Sequence, residues 1–382
     1  MRNARLLKLL AVLSVLLALY GCISTAGPRA QSAEIEALLA AREDGVNHAD
    51  QQEYLSTVLP GDAVLIKEET NLIRAAANLG ISDYKAEAGP ANARGDGLVA
   101  RVTQSYTLDG TAHQCSYDAL FVSEDGKLYY DGPDFMIKQN SHVKVCYTEG
   151  WDDTAQKTLD TETAVLADMK DQLGFVPQGS ICVKLYGDQQ VFLQSVKLDL
   201  PAWVGGWQEY GEAVKSFAGA YPAESGELRS MLNHETTHRM VSELSNDNAA
   251  YWIQEGLASV FQVTLGSPGQ ALLTKDEAAR EFTPYAQQKN IDLEKIGADD
   301  QGAVNEYYAT SKAFAAFLLD KYGWDKVRQA LEYMKKYPLI PVTGAEKIAE
   351  TNERTDEAIR NVFGFNTDDD FQQAFDEWLN GI

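Results

Sequence analysis

Apolar positions near the start of the chain recur with the period of a helix and then switch to that of a strand. Ile35, Leu38 and Leu39 form a stripe three and four residues apart, the spacing that gathers side chains on one helical face. A second stretch, 63–79, keeps this period and ends at Gly80, a residue that stops helices by taking up left-handed backbone. Strand-like runs follow at 81–88, 98–107, 112–123 and 128–131, and Asp109-Gly110 and Asp125-Gly126 supply the tight turns of hairpins. Helices followed by an antiparallel meander predict an α+β unit with its helices on one face of the sheet.

Beyond Trp151 the helical period returns. A helix is predicted over 151–173 with Gly174 as its stop, and strands at 181–186 and 213–217. Leu228, Met231, Leu232 and Val241 give the next helix an apolar face, with Ser225 as its expected N-cap and Glu227 in its first turn. Another helix is expected to start between Asn248 and Trp252. The remainder reads as helices at 303–321, 324–337, 353–363 and 368–379, and the irregular stretch 267–298 is expected to wall a cleft. Two domains are therefore expected, 33–150 and 151–382, with no internal repeat.

The chemistry concentrates in His234-Glu235-Thr236-Thr237-His238. Only five histidines occur in the chain, and two of them stand here. Residues four apart share a helical face, so both imidazoles can reach one metal ion. Glu235 is then placed to take a proton from water activated by that metal. A hydrolytic zinc site needs three protein ligands and one open position. Glu255, in Trp252-Ile253-Gln254-Glu255-Gly256-Leu257-Ala258, is the candidate third ligand, since a carboxylate among Trp252, Ile253, Leu257, Val260 and Phe261 is costly unless paired. The bland alternatives are an exposed turn with two unrelated histidines and a solvated glutamate on an amphipathic helix.

HExxH followed by W-x-x-E-G-L-A resembles the gluzincin metallopeptidases, specifically the bacterial peptidase MA-like group. Tyr308-Ala309-Thr310-Ser311, then Phe317-Leu318-Leu319 and Gly323, looks like a later helical segment of that group. The resemblance implies one Zn²⁺ held by His234, His238 and Glu255, with Glu235 as general base. It also implies a small sheet beside the motif helix, whose edge strand pairs with the substrate backbone. The family's thermolysin-like branch stabilises the oxyanion with a downstream histidine, but none follows His238 here. A phenol is the substitute, with Tyr308 the first choice and Tyr307 the second; the alternative for either is a ring packed in the core. Ser259 could support a ligand or be a plain surface serine. Two features depart from the family: Arg239 after the second histidine, expected to point to solvent, and the polar Thr236 and Thr237. The helix-then-meander order of the first domain is similar to NTF2-like domains.

Arg2, Arg5 and Lys8 precede an apolar run from Leu9 to Tyr20 that is too short to span a bilayer and has the layout of an export signal. Leu19-Tyr20-Gly21-Cys22 resembles a lipobox, which implies a signal peptide over 1–22, lipidation of Cys22, a tether over 23–32, and an extracytoplasmic chain anchored to a bacterial membrane. Cleavage after Ala26, giving a secreted protein, is the alternative. Export permits disulfides, and Cys115 and Cys146 are the expected pair; Cys182 reads as a small hydrophobe in a strand. With 56 acidic against 33 basic residues and a formal charge of −23, the surface repels phosphate backbones, so no nucleic-acid partner is expected.

These features predict a membrane-anchored zinc metallopeptidase acting on peptide or protein substrates. Absence of the G-x-M-E-N signature of gluzincin aminopeptidases favours an endopeptidase. Two other readings stand beside it: a catalytically silent peptide-binding lipoprotein on the same fold, and an assembly module in which the N-terminal domain does the main work.

Overall fold

The computed structural model describes residues 28–202, 204–221, 226–267, 269–296, 300–340 and 344–382. They form a mixed α+β structure in two compact units that divide between 134 and 135.

In the first unit, helices α1 (Pro28–Asn47), α2 (Gln51–Leu55) and α3 (Ala63–Leu79) precede strands β1 (Ser82–Ala88), β2 (Asn92–Arg94), β3 (Gly97–Leu108), β4 (Thr111–Glu124) and β5 (Lys127–Pro133). Asp62 caps α3 by accepting from the Val64 and Leu65 amides, each at 3.0 Å. Gly80, at φ 66°, closes the helix. The antiparallel sheet runs β1-β3-β4-β5, with β2 paired to β3. Asp109-Gly110 and Asp125-Gly126 all have positive φ, the requirement of the primed turns that match strand twist. Leu98, Ala100, Val102 and Tyr106 of β3 and Cys115, Tyr117, Ala119 and Phe121 of β4 are buried alternately along their strands. Helix α1 packs on β1 and β5, where the Ala86 amide donates to Glu43 Oε1 at 2.7 Å. Inside lies Arg42, 4% exposed, bonded to Glu69 Oε2 and Tyr54 Oη at 2.7 Å and stacked on the Tyr54 and Tyr130 rings. Burial of this charge is tolerated because its partners surround it.

The second unit begins sixteen residues earlier than expected from the sequence, at 135 instead of 151. Strands β6 (Met136–Gln139) and β7 (Val143–Tyr147) belong to its sheet, followed by α4 (Asp152–Leu173), β8 (Ile181–Tyr186), α5 (Gln189–Val196), β9 (Gly206–Trp207) and β10 (Val214–Phe217). The order is β6-β7-β8-β10-β9, with β7, β8 and β10 parallel and both edges antiparallel. Val143, Val145, Cys146 and Tyr147 are all buried, so β7 is a central parallel strand without the alternation that betrays a strand in sequence. Helices α6 (Glu227–Ser245), α7 (Tyr251–Thr264), α8 (Lys275–Ala278), α9 (Tyr285–Gln288), α10 (Gln301–Tyr322), α11 (Trp324–Met334), α12 (Gly344–Phe363) and α13 (Asp368–Leu379) complete it. Trp252, Tyr285, Phe314 and Phe371 join α7, α9, α10 and α13 through edge-to-face and stacked rings with centroids 4.1–5.9 Å apart. From the stretch 267–298, Gln288 reaches α10: its side-chain amide donates to the Tyr307 carbonyl and Ser311 Oγ at 3.0 and 2.9 Å.

Several expectations are corrected here. Cys115 and Cys146 form no disulfide; they sit in β4 and β7, strands of different sheets in different units, each buried in its own packing. Cys182 is half-buried. Ser225 lies outside the described residues, and Gly226, which carries no capping side chain, stands at the N-cap of α6. Helix α12 starts at Gly344, well before the expected 353. The export segment with Cys22 and the start of the tether also lie outside the described residues. Among the described residues no helix is long and apolar enough to cross a membrane.

Candidate metal centre

Helix α6 carries His234 and His238 one turn apart, while Leu228, Leu232, Met240 and Val241 are buried in the core. A short turn returns the chain to α7. Asn246 and Asp247 adopt left-handed backbone at φ 55° and 56°, a conformation these residue types tolerate. Asn248, with no exposed surface, donates to the Ser245, Asn246 and Tyr337 carbonyls and accepts from Arg354. The Ala250 amide donates to Thr355 Oγ1 at 2.8 Å. Helices α11 and α12 thereby hold the α6–α7 turn, and that turn sets where Glu255 falls.

Gly256 decides how closely α7 approaches α10. A Cβ there would overlap the Ser311 carbonyl oxygen and stand 2.9 Å from the Ala315 Cβ, so only glycine permits this crossing. One turn before Ser311 stands Tyr308, whose ring centroid lies 6.3 Å from that of His234. Tyr307, 2% exposed, packs in the core. The close crossing thus brings Tyr308, the first choice from sequence, to the histidine pair and leaves Tyr307 away from solvent.

His234 Nε2, His238 Nε2 and Glu255 Oε2 form a triangle with edges of 3.1, 3.4 and 3.5 Å. A tetrahedral cation with bonds of about 2.0–2.1 Å holds its ligand atoms about 3.3–3.4 Å apart. The three edges average to that value. Glu255 Oε2 is buried and receives no hydrogen bond of normal geometry, an arrangement that costs free energy unless a cation faces it. The side chains are only 15%, 12% and 13% exposed. These three residues, as read from the sequence, are a group that could hold a metal ion. Burial pushes the Glu255 carboxyl up, but the His238 and His234 imidazoles outweigh it and hold the group well below the usual carboxylate range. Burial lowers His238, yet Glu255 and Glu235 together raise it.

Compared with protein-family models and with curated proteins, the chain finds no match.

Glu235, 8% exposed, turns its carboxylate toward the edge strand of the sheet: a Cβ on Gly206 would stand 2.8 Å from Glu235 Oε1. No described residue donates a hydrogen bond to it. Burial raises its pKa, opposed by the two histidines, which makes it a better proton acceptor than an exposed glutamate. Strand β9 pairs with β10 through Trp207 opposite Lys215 and Gly206 opposite Ser216. No described strand pairs with its other side.

The sequence reading passed over the groups that orient the centre. Gln262 Oε1 lies 3.1 Å from His234 Nδ1, which fixes the proton on that nitrogen and leaves the Nε2 lone pair for a metal. Gln262 follows Glu255 by two helical turns, a spacing visible in sequence and carrying no recognised signature. Ser259 makes no such bond. Thr236, a departure from the family pattern, donates to Glu162 Oε1 at 2.9 Å. Glu162 is wholly buried on α4, and its burial pushes the carboxyl up to about 8. Thr237 donates back to the Asn233 carbonyl. The polar middle of the motif therefore serves a buried acid and the helix backbone. Arg239, expected to reach solvent, instead pairs with Glu243 and donates to the Gln178 carbonyl with its side chain 18% exposed. Glu243 Oε2 accepts from the Gln178 amide at 3.0 Å, so this pair ties the loop before β8 to α6.

Proposed function

We propose that the chain is a zinc-dependent metallopeptidase of gluzincin type, with His234, His238 and Glu255 as ligands and Glu235 as general base. One observation carries the reading: two imidazole nitrogens and a buried carboxylate oxygen stand 3.1–3.5 Å apart, beside a second carboxylate that faces an open strand edge. Two histidines and one glutamate form the donor set typical of hydrolytic zinc, and zinc bound there supplies Lewis acidity and lowers the pKa of water to about 7.

The chain's own residues account for the remaining steps. Glu235 takes a proton from the attacking water and returns it to the departing amine, a role suited to its raised pKa. Burial, with the Glu255 and Glu235 carboxylates, pushes the Tyr308 phenol well above its usual value. It stays protonated and can donate to the oxyanion. Strand β9, with no described strand on its outer side, can take up an extended peptide there, which supports cleavage within chains over trimming at an end. The export-signal layout of the first residues and the lipobox-like Leu19-Tyr20-Gly21-Cys22 support an activity outside the cytoplasm, on a membrane.

The test is zinc content and hydrolysis of a proteome-derived peptide library by the wild-type chain and Glu235→Gln. Both proteins should bind about one zinc per chain, and only the wild type should cleave. Cleavage retained in the variant would falsify the base assignment, and a wild type that binds no zinc would sink the whole reading.

A further inference from the structure

A second phenol stands against Gly205, the neighbour of the glycine that faces Glu235. Tyr221 follows the 3-10 turn Ala218–Ala220 at the end of β10. Two consecutive glycines of the facing edge present bare Cα atoms to functional groups. A Cβ on Gly205 would stand 2.7 Å from Tyr221 Oη, and one on Gly206 2.8 Å from Glu235 Oε1. The edge itself is held firmly, since the Gly205 carbonyl accepts from Ser216 Oγ and the Phe217 amide at 3.0 and 3.2 Å. Tyr221 is half-buried, and its hydroxyl makes no hydrogen bond to any described residue. The hydroxyl is not one of the buried atoms that lack a partner, so it meets solvent and is free to exchange water for a ligand.

We infer that Tyr221 is a substrate-binding residue, whose hydroxyl donates to a backbone carbonyl of an extended peptide lying along β9. Burial and the Glu235 and Glu227 carboxylates push the phenol up to about 12, so it remains a donor across the working pH range. Tyr308 stands at the His234 ring and Tyr221 at the Gly205 end of the same carboxylate's surroundings. The two phenols therefore divide the work: one meets charge developing at the reacting carbonyl, the other holds a neighbouring peptide group.

This assignment rests on the peptidase reading, and the experiment separates the two. The full zinc-loaded chain, Tyr221→Phe, Gly205→Ala and Tyr308→Phe are compared on an internally quenched random-peptide mixture, with zinc content and melting temperature recorded. Loss of one hydrogen bond to bound substrate predicts a KM about 5–10-fold higher in Tyr221→Phe, with kcat within about twofold and with zinc and melting unchanged. Gly205→Ala, which displaces the hydroxyl without removing it, should raise KM in the same way. Tyr308→Phe should lower kcat instead. An unmoved KM in an active Tyr221→Phe, or a loss confined to melting temperature or zinc, overturns the assignment alone. A wild type that loads zinc and cleaves nothing overturns the peptidase reading and this assignment with it.

Discussion

Gly256→Ala tests whether the close crossing of α7 and α10 builds the centre. The substitution is favourable for the isolated helix by about 1 kcal/mol, because alanine surpasses glycine in helical propensity. Packing opposes it. The new Cβ would stand 2.9 Å from the Ala315 Cβ, whereas carbon atoms rest about 3.5–4.0 Å apart. One helix must therefore shift by about 0.6–1 Å. The Ser311 carbonyl oxygen lies closer still and, being backbone, cannot rotate away. Overpacking of this kind costs about 1–3 kcal/mol, and the backbone clash puts this site at the upper end. The net loss of about 1–2 kcal/mol lowers the melting temperature by about 2–8 °C for a unit of this size. Glu255 is the adjacent residue, so the same shift stretches ligand edges that now measure 3.4 and 3.5 Å. Zinc affinity should fall about 10–100-fold, read by competition with a chromophoric chelator. Adding Ala315→Gly should rescue little, because the nearer obstacle is the carbonyl. A Gly256→Ala chain that melts at or above the wild-type temperature and holds zinc equally well would refute the claim that this contact places the third ligand.

Three further outcomes follow from the same geometry. Gln262→Ala should weaken zinc binding about 10-fold or more by freeing the His234 ring, measured by the same competition; equal affinity would show that the ring needs no support. Tyr308→Phe should reduce turnover by at least about 10-fold with zinc content unchanged, and an unaltered kcat would move the oxyanion donor elsewhere. Glu162 binds its proton more tightly when folded, at about 8 against an ordinary 4.5, so between these values the unfolded chain loses the proton first and stability falls as pH rises, by up to about 1.4 kcal/mol per pH unit. Glu162→Gln removes that slope, and its melting temperature should gain on the wild type steadily from pH 5 to 8; parallel melting curves across that range would mean that Glu162 is ionised in the fold.

Legibility of the sequence followed the range of the interaction concerned. Helix α3 with its Gly80 stop, the two Asp-Gly hairpins, α4 with Gly174 and α13 were readable because period, caps and turn residues act within a few positions. His234, Glu235 and His238 were readable for the same reason: a helix brings residues four apart together without help from the rest of the chain. Strands β6 and β7 were not, and with them the unit boundary was misplaced, because a short strand buried on both faces by its neighbours carries no alternating pattern. The disulfide expectation failed on the same point: with the boundary misplaced, Cys115 and Cys146 looked like members of one domain.

Local chemistry alone thus singled out His234 and His238 as a pair that could bind a metal, and it nominated Glu255 from the cost of leaving a carboxylate among apolar neighbours. Where that carboxylate comes to rest was decided by tertiary contacts. Asn248, Arg354 and Thr355 pin the turn between α6 and α7 across about a hundred residues of chain, and Gly256 sets the approach of α10 that delivers Tyr308. Gln262 and Glu162 gained their hydrogen-bond partners, and Tyr221 its place against Gly205, only through packing, since contacts between distant segments depend on where the whole fold places them and leave no periodic mark along the chain.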